Sequence, residues 1–306
     1  MIQATPSPAT PTGAVFILLF SASLWGLSWW PVKQLVSLGL TGPLLPMLAY
    51  GVVAVGTGWV LWQERGQWRR QTGLLLALAF VGGWANTAFV SALMVGDVVR
   101  VMFLFYLSPV WSVLGGRLFL GERIPMRRAI AVAVAVVGLW LVITGGAAPQ
   151  NVSLTLADVL ALTAGLGFAG NNIIARAAQD IPLRSKTVSV FVGCGVLSAL
   201  AVLWQGAPVP TLPAVAWVGV LLYGGVWLLL ATATWQYGVT HIESGRAGVI
   251  LLAELLVAVL TASWWGGEQL SAIEWTGGAL IAAAALLEAL DFSPKPSPIV
   301  LNKESA

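Results

Sequence analysis

Glu254 is the only acidic residue deep inside a long apolar run, "AGVILLAELLVAVLTASWW". An ionised carboxylate at mid-bilayer costs about 3 kcal/mol even on the mildest scales, so it must face a cavity, find a partner or carry a proton. Three roles stay open: a proton-coupling acid, a site for an ammonium group, or a hydrogen-bonded acid that caps a broken helix. Amides recur at similar depth. Asn86 lies mid-run with Trp84 and Phe89 nearby, and Asn171 and Asn172 follow Phe168 by one turn. A side-chain amide both donates and accepts, which suits a zwitterion. The same amides also serve as interhelical glue.

Aromatic residues fall at helical spacing around these groups. Trp25, Ser28 and Trp29 share one face by i, i+3, i+4 spacing. Met102 and Tyr106 are one turn apart, as are Tyr223 and Trp227, with Gln236 further along. Such a set could line a pocket for amphipathic solutes through stacking and cation–π contact. Core packing or an interfacial belt is the alternative, and Trp59, Trp62, Trp68, Trp264 and Trp265 at run ends read as belt residues. Other chemistries lack their parts. One His (His241, expected in a loop near Glu243) and one Cys (Cys194, in an apolar run) cannot build a metal site. No Gly-x-x-x-x-Gly-Lys-Ser/Thr phosphate loop is present, which argues against an ATP-driven pump. No cofactor and no catalytic constellation are expected.

The elements that must position these residues follow from composition. Of the 306 residues 58% are hydrophobic and only 9% charged, with a mean hydropathy of +0.88. A soluble domain carries about 25% charged residues. Sixteen Trp and 34 Gly point to the bilayer. Crossing the hydrocarbon core takes about 20 apolar residues. Ten stretches meet or approach this: 13–35, 43–62, 72–95, 98–119, 127–145, 157–176, 186–205, 213–237, 245–265 and 272–290. They are continuous rather than alternating, so a β-barrel is excluded. Residues 1–12 and 292–306 read as disordered tails.

An even number of crossings leaves both termini on one side. Loops and tails on that side carry thirteen Lys or Arg; the other side has only Lys33 and Arg100. The positive-inside rule makes both termini cytoplasmic, in a bacterial inner membrane. The net charge of +3 is spread over short loops and is no nucleic-acid footprint. The expected partners are the bilayer and a small-molecule substrate, with the chain a monomer or homodimer.

"GDVVRVMFLFYLSPVWSVLGGRLFLGERI" (96–124) and "IESGRAGVILLAELLVAVLTASWWGGEQL" (242–270) register at an offset of 146. Asp97 falls on Glu243, Arg100 on Arg246 and Gly121–Glu122 on Gly267–Glu268. Apolar bias alone does not align these polar positions. The offset corresponds to five crossings, so the copies enter the membrane in opposite directions. Residues 13–145 and 146–291 are therefore expected to be two inverted five-helix repeats, a build found in secondary transporters. The expected fold is an all-α integral membrane protein of ten transmembrane helices.

"YLSPVWSVLGGRLFLGERI" followed by "VAVAVVGLWLVI", its echo "LLAELLVAVLTASWWGGEQL" followed by "WTGGALIAAAALL", and the opening "SLWGLSWWPVK" resemble the EamA-type drug/metabolite transporter superfamily. The resemblance covers about residues 13–290. It implies alternating access around a central cavity walled by helices 1, 3, 4, 6, 8 and 9, with helices 5 and 10 peripheral. "TWQYG" and His241 resemble the aromatic amino-acid exporter group. The expected function is export of aromatic or other amphipathic amino acids or related metabolites; a sugar, nucleotide-sugar or nucleobase permease is the alternative. Two structural expectations follow. Pro109 should bend helix 4 and act as a hinge. Ala131 and Ala135, with Gly278 and Ala282, should give helices 5 and 10 a small-residue interface.

Overall fold

The computed structural model describes residues 12–120, 124–145, 154–206, 211–241 and 244–289. Among these, every regular element is helical. The first apolar stretch folds as α1 (Thr12–Gly26) and α2 (Trp29–Ser37), the second as α3 (Leu44–Thr57) and α4 (Trp59–Gln63). A short α5 (Arg65–Trp68) and a 3-10 turn (Arg69–Gln71) lead into α6 (Thr72–Val95). Next come α7 (Val98–Phe105), α8 (Ser108–Leu120), α9 (Met126–Thr144), α10 (Leu156–Ala177) and α11 (Leu183–Gln205). The eighth stretch is α12 (Ala214–Leu222), a π-helical turn (Tyr223–Leu228) and α13 (Leu229–His241). The last two helices are α14 (Ser244–Trp264) and α15 (Ala272–Ala289).

Seven described helical stretches are long and apolar enough to cross a membrane: Gly13–Ser37, Leu44–Gln63, Arg65–Val95, Val98–Gly115, Leu156–Ala175, Leu183–Gln205 and Ala214–Gly238. Three apolar helices are shorter: Ala129–Thr144, Leu252–Trp264 and Ala272–Leu287. The Gly121–Glu122 pair, Glu243, and nearly all of the two tails lie outside the described residues. His241 closes α13 rather than standing in a loop, because the helix runs on to it.

Two interruptions matter for the cavity. The first helix breaks at Leu27–Ser28. The fourth breaks at Tyr106–Leu107, so Pro109 does not bend a continuous helix. It occupies the second position of α8, where its missing N–H costs nothing, while its ring crowds the carbonyl four residues back and discourages continuation from Phe105.

The helices pair in a simple pattern. α6 packs on α10 and α11, α3 on α11 and the π turn, and α1 on α13 and α14. α7 meets α10 and α14, α8 meets α10, and α9 lies along α15. The tightest approach of the last pair is not at the expected residues. A Cβ on Gly138 would stand 2.6 Å from the Gly277 carbonyl oxygen, and one on Gly277 would stand 2.6 Å from that of Gly138. Gly278 instead faces the Phe103 ring of α7, because it lies one step round the helix from Gly277. Ala131 and Ala135 are buried beside Ile281 and Ala284.

Candidate functional site

A cavity of about 360 Å³ enters the bundle among α6, α10, α11 and α13 and reaches Trp25 of α1 and Glu254 of α14. Its mouth lies where α10 ends and α11 begins, at Ala175, Leu183 and Lys186. The Lys186 ammonium donates to the Ala175 carbonyl at 2.8 Å, which satisfies an end carbonyl of α10. Beside it, Gln236 Nε2 donates to Thr187 Oγ1 at 3.2 Å.

One wall is aromatic. Phe105 of α7 stands 4.7 Å from Phe89 of α6 and 5.5 Å from Phe168 of α10, centroid to centroid, both tilted. These faces can stack on a flat ring. The opposite lining is amide-rich. Asn86 accepts from the Tyr50 hydroxyl at 2.8 Å and donates from Nδ2 to the Gly82 carbonyl at 2.9 Å. Asn171 Oδ1 and Thr232 Oγ1 are buried without a hydrogen-bond partner. At the floor, the Glu254 side chain is 7% exposed and accepts a hydrogen bond from the Tyr106 hydroxyl. Among the described residues, the arrangement offers a flat aromatic surface, several amides and one carboxyl within one enclosure.

Of the sequence-derived residues, Trp25, Asn86, Phe168, Asn171, Asn172, Gln236 and Glu254 line this cavity. The others stand outside it, each for a physical reason. Ser28 and Trp227 bond each other at 3.0 Å, and Trp227 Nε1 also reaches the Leu24 carbonyl, so the pair fastens the eighth stretch to the break in the first helix. Trp29 is buried and donates to Thr261 Oγ1 of α14 at 3.0 Å. Trp84 is 40% exposed on the outer face of α6, two residues from Asn86 and so on the wrong side. Met102 and Tyr223 are fully enclosed in the hydrophobic core. Tyr106 sits behind Glu254, next to Pro109 in a small crevice.

Phe105, Phe191, Trp235, Lys186, Thr187 and Thr232 line the cavity although sequence reasoning did not select them. Helix α11, the seventh stretch, is not among the six helices expected to wall the cavity. Lys186, the charge nearest the start of that apolar stretch, was a usable signal. Phe105 is hidden in an aromatic run, "FLFY", where only the break at Tyr106–Leu107 decides which ring turns inward.

The far end is sealed by polar bonds. Gly267 adopts φ +69°, a left-handed turn that suits glycine, and this sends Glu268 back toward α7. The Glu268 carboxylate accepts from the Val98 and Val99 amides at 2.7 and 2.9 Å, capping that helix. Lys33 Nζ donates to the Gly96 carbonyl at 2.8 Å. Arg100 pairs with Asp158 at 2.7 Å and donates to the Val142 and Ile143 carbonyls. Asp158 also forms a capping box with Thr155 at the start of α10.

Comparison with known proteins resolves the class. The model of the EamA-like transporter family matches residues 12–144 and 155–289. The chain belongs to the EamA-like transporter family. This EamA-like protein is thus an all-helical, multi-pass membrane transporter. It is 24% identical over 213 residues to an uncharacterized transporter of Archaeoglobus fulgidus, covering 70% of this chain and 75% of the relative. It is 32% identical over 164 residues to the uncharacterized transporter YwfM of Bacillus subtilis, about half of each chain (52% and 53%). A riboflavin transporter of Rhizobium johnstonii is 26% identical over 223 residues, covering 72% of this chain and 69% of the relative. A protein solved by crystallography superposes with a TM-score of 0.60 at 17% identity, covering 94% of this chain and 99% of the other, which shows a shared fold.

Proposed function

We propose that this EamA-like protein is a secondary carrier that exports amino acids bearing an aromatic or other amphipathic side chain, by alternating access between two inverted five-helix halves. The observation that carries the substrate reading is the cavity itself: an aromatic wall of Phe89, Phe105 and Phe168 faces amides, with the single carboxyl of Glu254 at the floor. A ring stacks on the wall, and the ammonium of an amino acid meets Glu254.

The pairing of helices supports the inverted halves. Contact of α1 with α13 has its counterpart in α10 with α6, and α1 with α14 in α10 with α7 and α8. Contact of α3 with the π turn corresponds to α11 with α6, while α3–α11, α7–α14 and α9–α15 are self-corresponding. Two family matches, one in each half, support the same reading. It takes the three shorter apolar helices as further crossings, ten in all. The mouth opens at the end bearing Arg65, Arg69, Arg70, Arg184 and Lys186; the positive-inside rule makes that end cytoplasmic, which suits loading from inside.

A flavin-like heteroaromatic is the second reading, favoured by the name of the Rhizobium relative and by the number of amides in the cavity. Counterflow in proteoliposomes tests both. Exchange of labelled tryptophan, competed by other aromatic amino acids and not by riboflavin, supports the first. Exchange of riboflavin alone replaces it with the second.

A further inference from the structure

We propose that Tyr50, which lies outside the cavity, sets substrate selectivity by fixing which side of the Asn86 amide faces the ligand. This rests on the reading of the cavity as the substrate site. Tyr50 belongs to α3, is fully buried, and tilts its ring against Phe191 at 5.9 Å. Its hydroxyl bonds Asn86 Oδ1 at 2.8 Å, while Asn86 Nδ2 bonds the Gly82 carbonyl at 2.9 Å.

The two bonds are consistent in one arrangement only. A backbone carbonyl accepts and never donates, so the amide nitrogen must face Gly82. That places the amide oxygen at Tyr50, which must then donate. The orientation of this amide is therefore dictated by its partners rather than chosen between two equal fits. The oxygen is held against a residue beyond the cavity wall. The donor that remains for the cavity is the second N–H of Nδ2. Asn86 is half-buried and lines the cavity, so it presents a donor.

The ligand that matches is an aromatic ring with a hydrogen-bond acceptor on its edge or close beside it: a ring nitrogen, a ring carbonyl or a carboxylate oxygen. Without the Tyr50 hydroxyl, the buried amide oxygen loses its donor, and the amide turns to find another. With only the Gly82 carbonyl left to hold the nitrogen, Asn86 presents its oxygen part of the time, and the preference for acceptors falls. Tyr50 acts through Asn86; it is a positioning residue and does not touch the substrate.

The test uses counterflow of labelled tryptophan and of labelled riboflavin by the full chain in proteoliposomes. Tyr50→Phe should raise the apparent Km about three- to tenfold, the worth of one hydrogen bond, with the maximal rate nearly unchanged. On an Asn86→Ala background the same substitution should add nothing. Benzimidazole, which carries a ring acceptor that indole lacks, should compete better than indole against wild type and by a clearly smaller margin against Tyr50→Phe. Asn86→Asp keeps the side-chain shape without the donor and should lose the same preference, which covers a Tyr50→Phe chain that fails to fold. An unchanged Km in Tyr50→Phe, or an equal Km rise with and without Asn86, overturns the proposal and leaves the transport reading intact. Absence of exchange by wild type sinks the substrate reading, and the two rings then decide the proposal by thermal stabilisation of detergent-solubilised protein. Greater stabilisation of wild type by benzimidazole than by indole, with a smaller difference in Tyr50→Phe, supports it; equal or no stabilisation by the two, or an unchanged difference in Tyr50→Phe, overturns it.

Discussion

The Tyr106 hydroxyl donates to the Glu254 carboxyl from the residue at which the fourth helical stretch is interrupted. An acid on the cavity floor is thereby tied to the break between α7 and α8. Where a proton leaves or joins Glu254, the strength of that tie changes, because a hydrogen bond to a carboxylate is worth more than one to a neutral acid. Glu254→Gln should abolish stimulation of transport by a pH gradient, while exchange of internal and external amino acid should persist with a raised Km, because the ammonium then meets an amide in place of a carboxylate. The measurement is proteoliposome transport with and without the gradient. Identical pH profiles for both proteins would make Glu254 structural.

Pro109→Ala restores an N–H to the first turn of α8 and removes the ring that crowds Phe105. The helix should then extend through Tyr106–Leu107. The maximal transport rate is expected to fall severalfold, with substrate affinity changed by less than about twofold, the residual effect of a distant packing change. Pre-steady-state flux beside equilibrium binding separates the two; an unaltered rate would rule out the break as a flexing point.

Glu268→Gln leaves one acceptor oxygen where two were used and turns an NH₂ group toward a backbone N–H. The cap on α7 should weaken by about 1–3 kcal/mol. Hydrogen–deuterium exchange of a peptide containing Val98 and Val99 should rise about five- to 150-fold if these amides open locally. Unchanged protection there would show that the seal does not depend on this carboxylate.

Asp158→Asn removes the nearer charge partner of Arg100, leaving Glu274 at 3.9 Å, and one of the two oxygens that serve Arg100 and the Thr155 amide. A loss of about 1–3 kcal/mol is expected, because charge-assisted hydrogen bonds of a partly buried guanidinium are given up. Thermal unfolding in detergent should drop well below that of Arg65→Ala, whose guanidinium lies 4.3 Å from the Trp62 ring at the surface.

Gly138→Leu should destabilise the bundle without altering competition among substrates, since the residue meets the Gly277 carbonyl and no cavity residue. A shifted substrate preference with normal stability would contradict the placement of α9 and α15 away from the site.

Much of the fold could be read from hydropathy, because a helix that crosses a bilayer must satisfy its backbone internally over a long apolar run. The described helices coincide with those runs to within a few residues. The site was legible where a polar atom had to be explained by burial, as with Glu254, Asn86, Asn171 and Asn172. It was not legible for aromatic residues, which cost nothing on either face of a helix. Trp84 and Trp25 have equal sequence credentials, yet one faces outward and the other lines the cavity. Ser28 and Trp227 were expected in the cavity lining, but their polar atoms are used on each other outside it. The repeated Gly–Glu pair could be found by alignment alone; its use, a left-handed turn delivering a carboxylate to another helix's amides, depends on a contact about 170 residues away in the chain, with Val98 on Glu268.

A cavity open at one end and bonded shut at the other is also an electrical object. Ions that enter from the open side carry that side's potential down to the floor, so the membrane voltage drops over the sealed layer between Glu254 and the Arg100–Asp158 pair. A charged solute reaching Glu254 from the mouth crosses little of the field, and its affinity should be nearly independent of voltage. In the proposed alternating-access cycle, the work of about 2.3 kcal/mol per elementary charge per 100 mV is done instead when the seal changes ends. Current recorded under voltage clamp would therefore report the reorientation step and not the docking of the substrate.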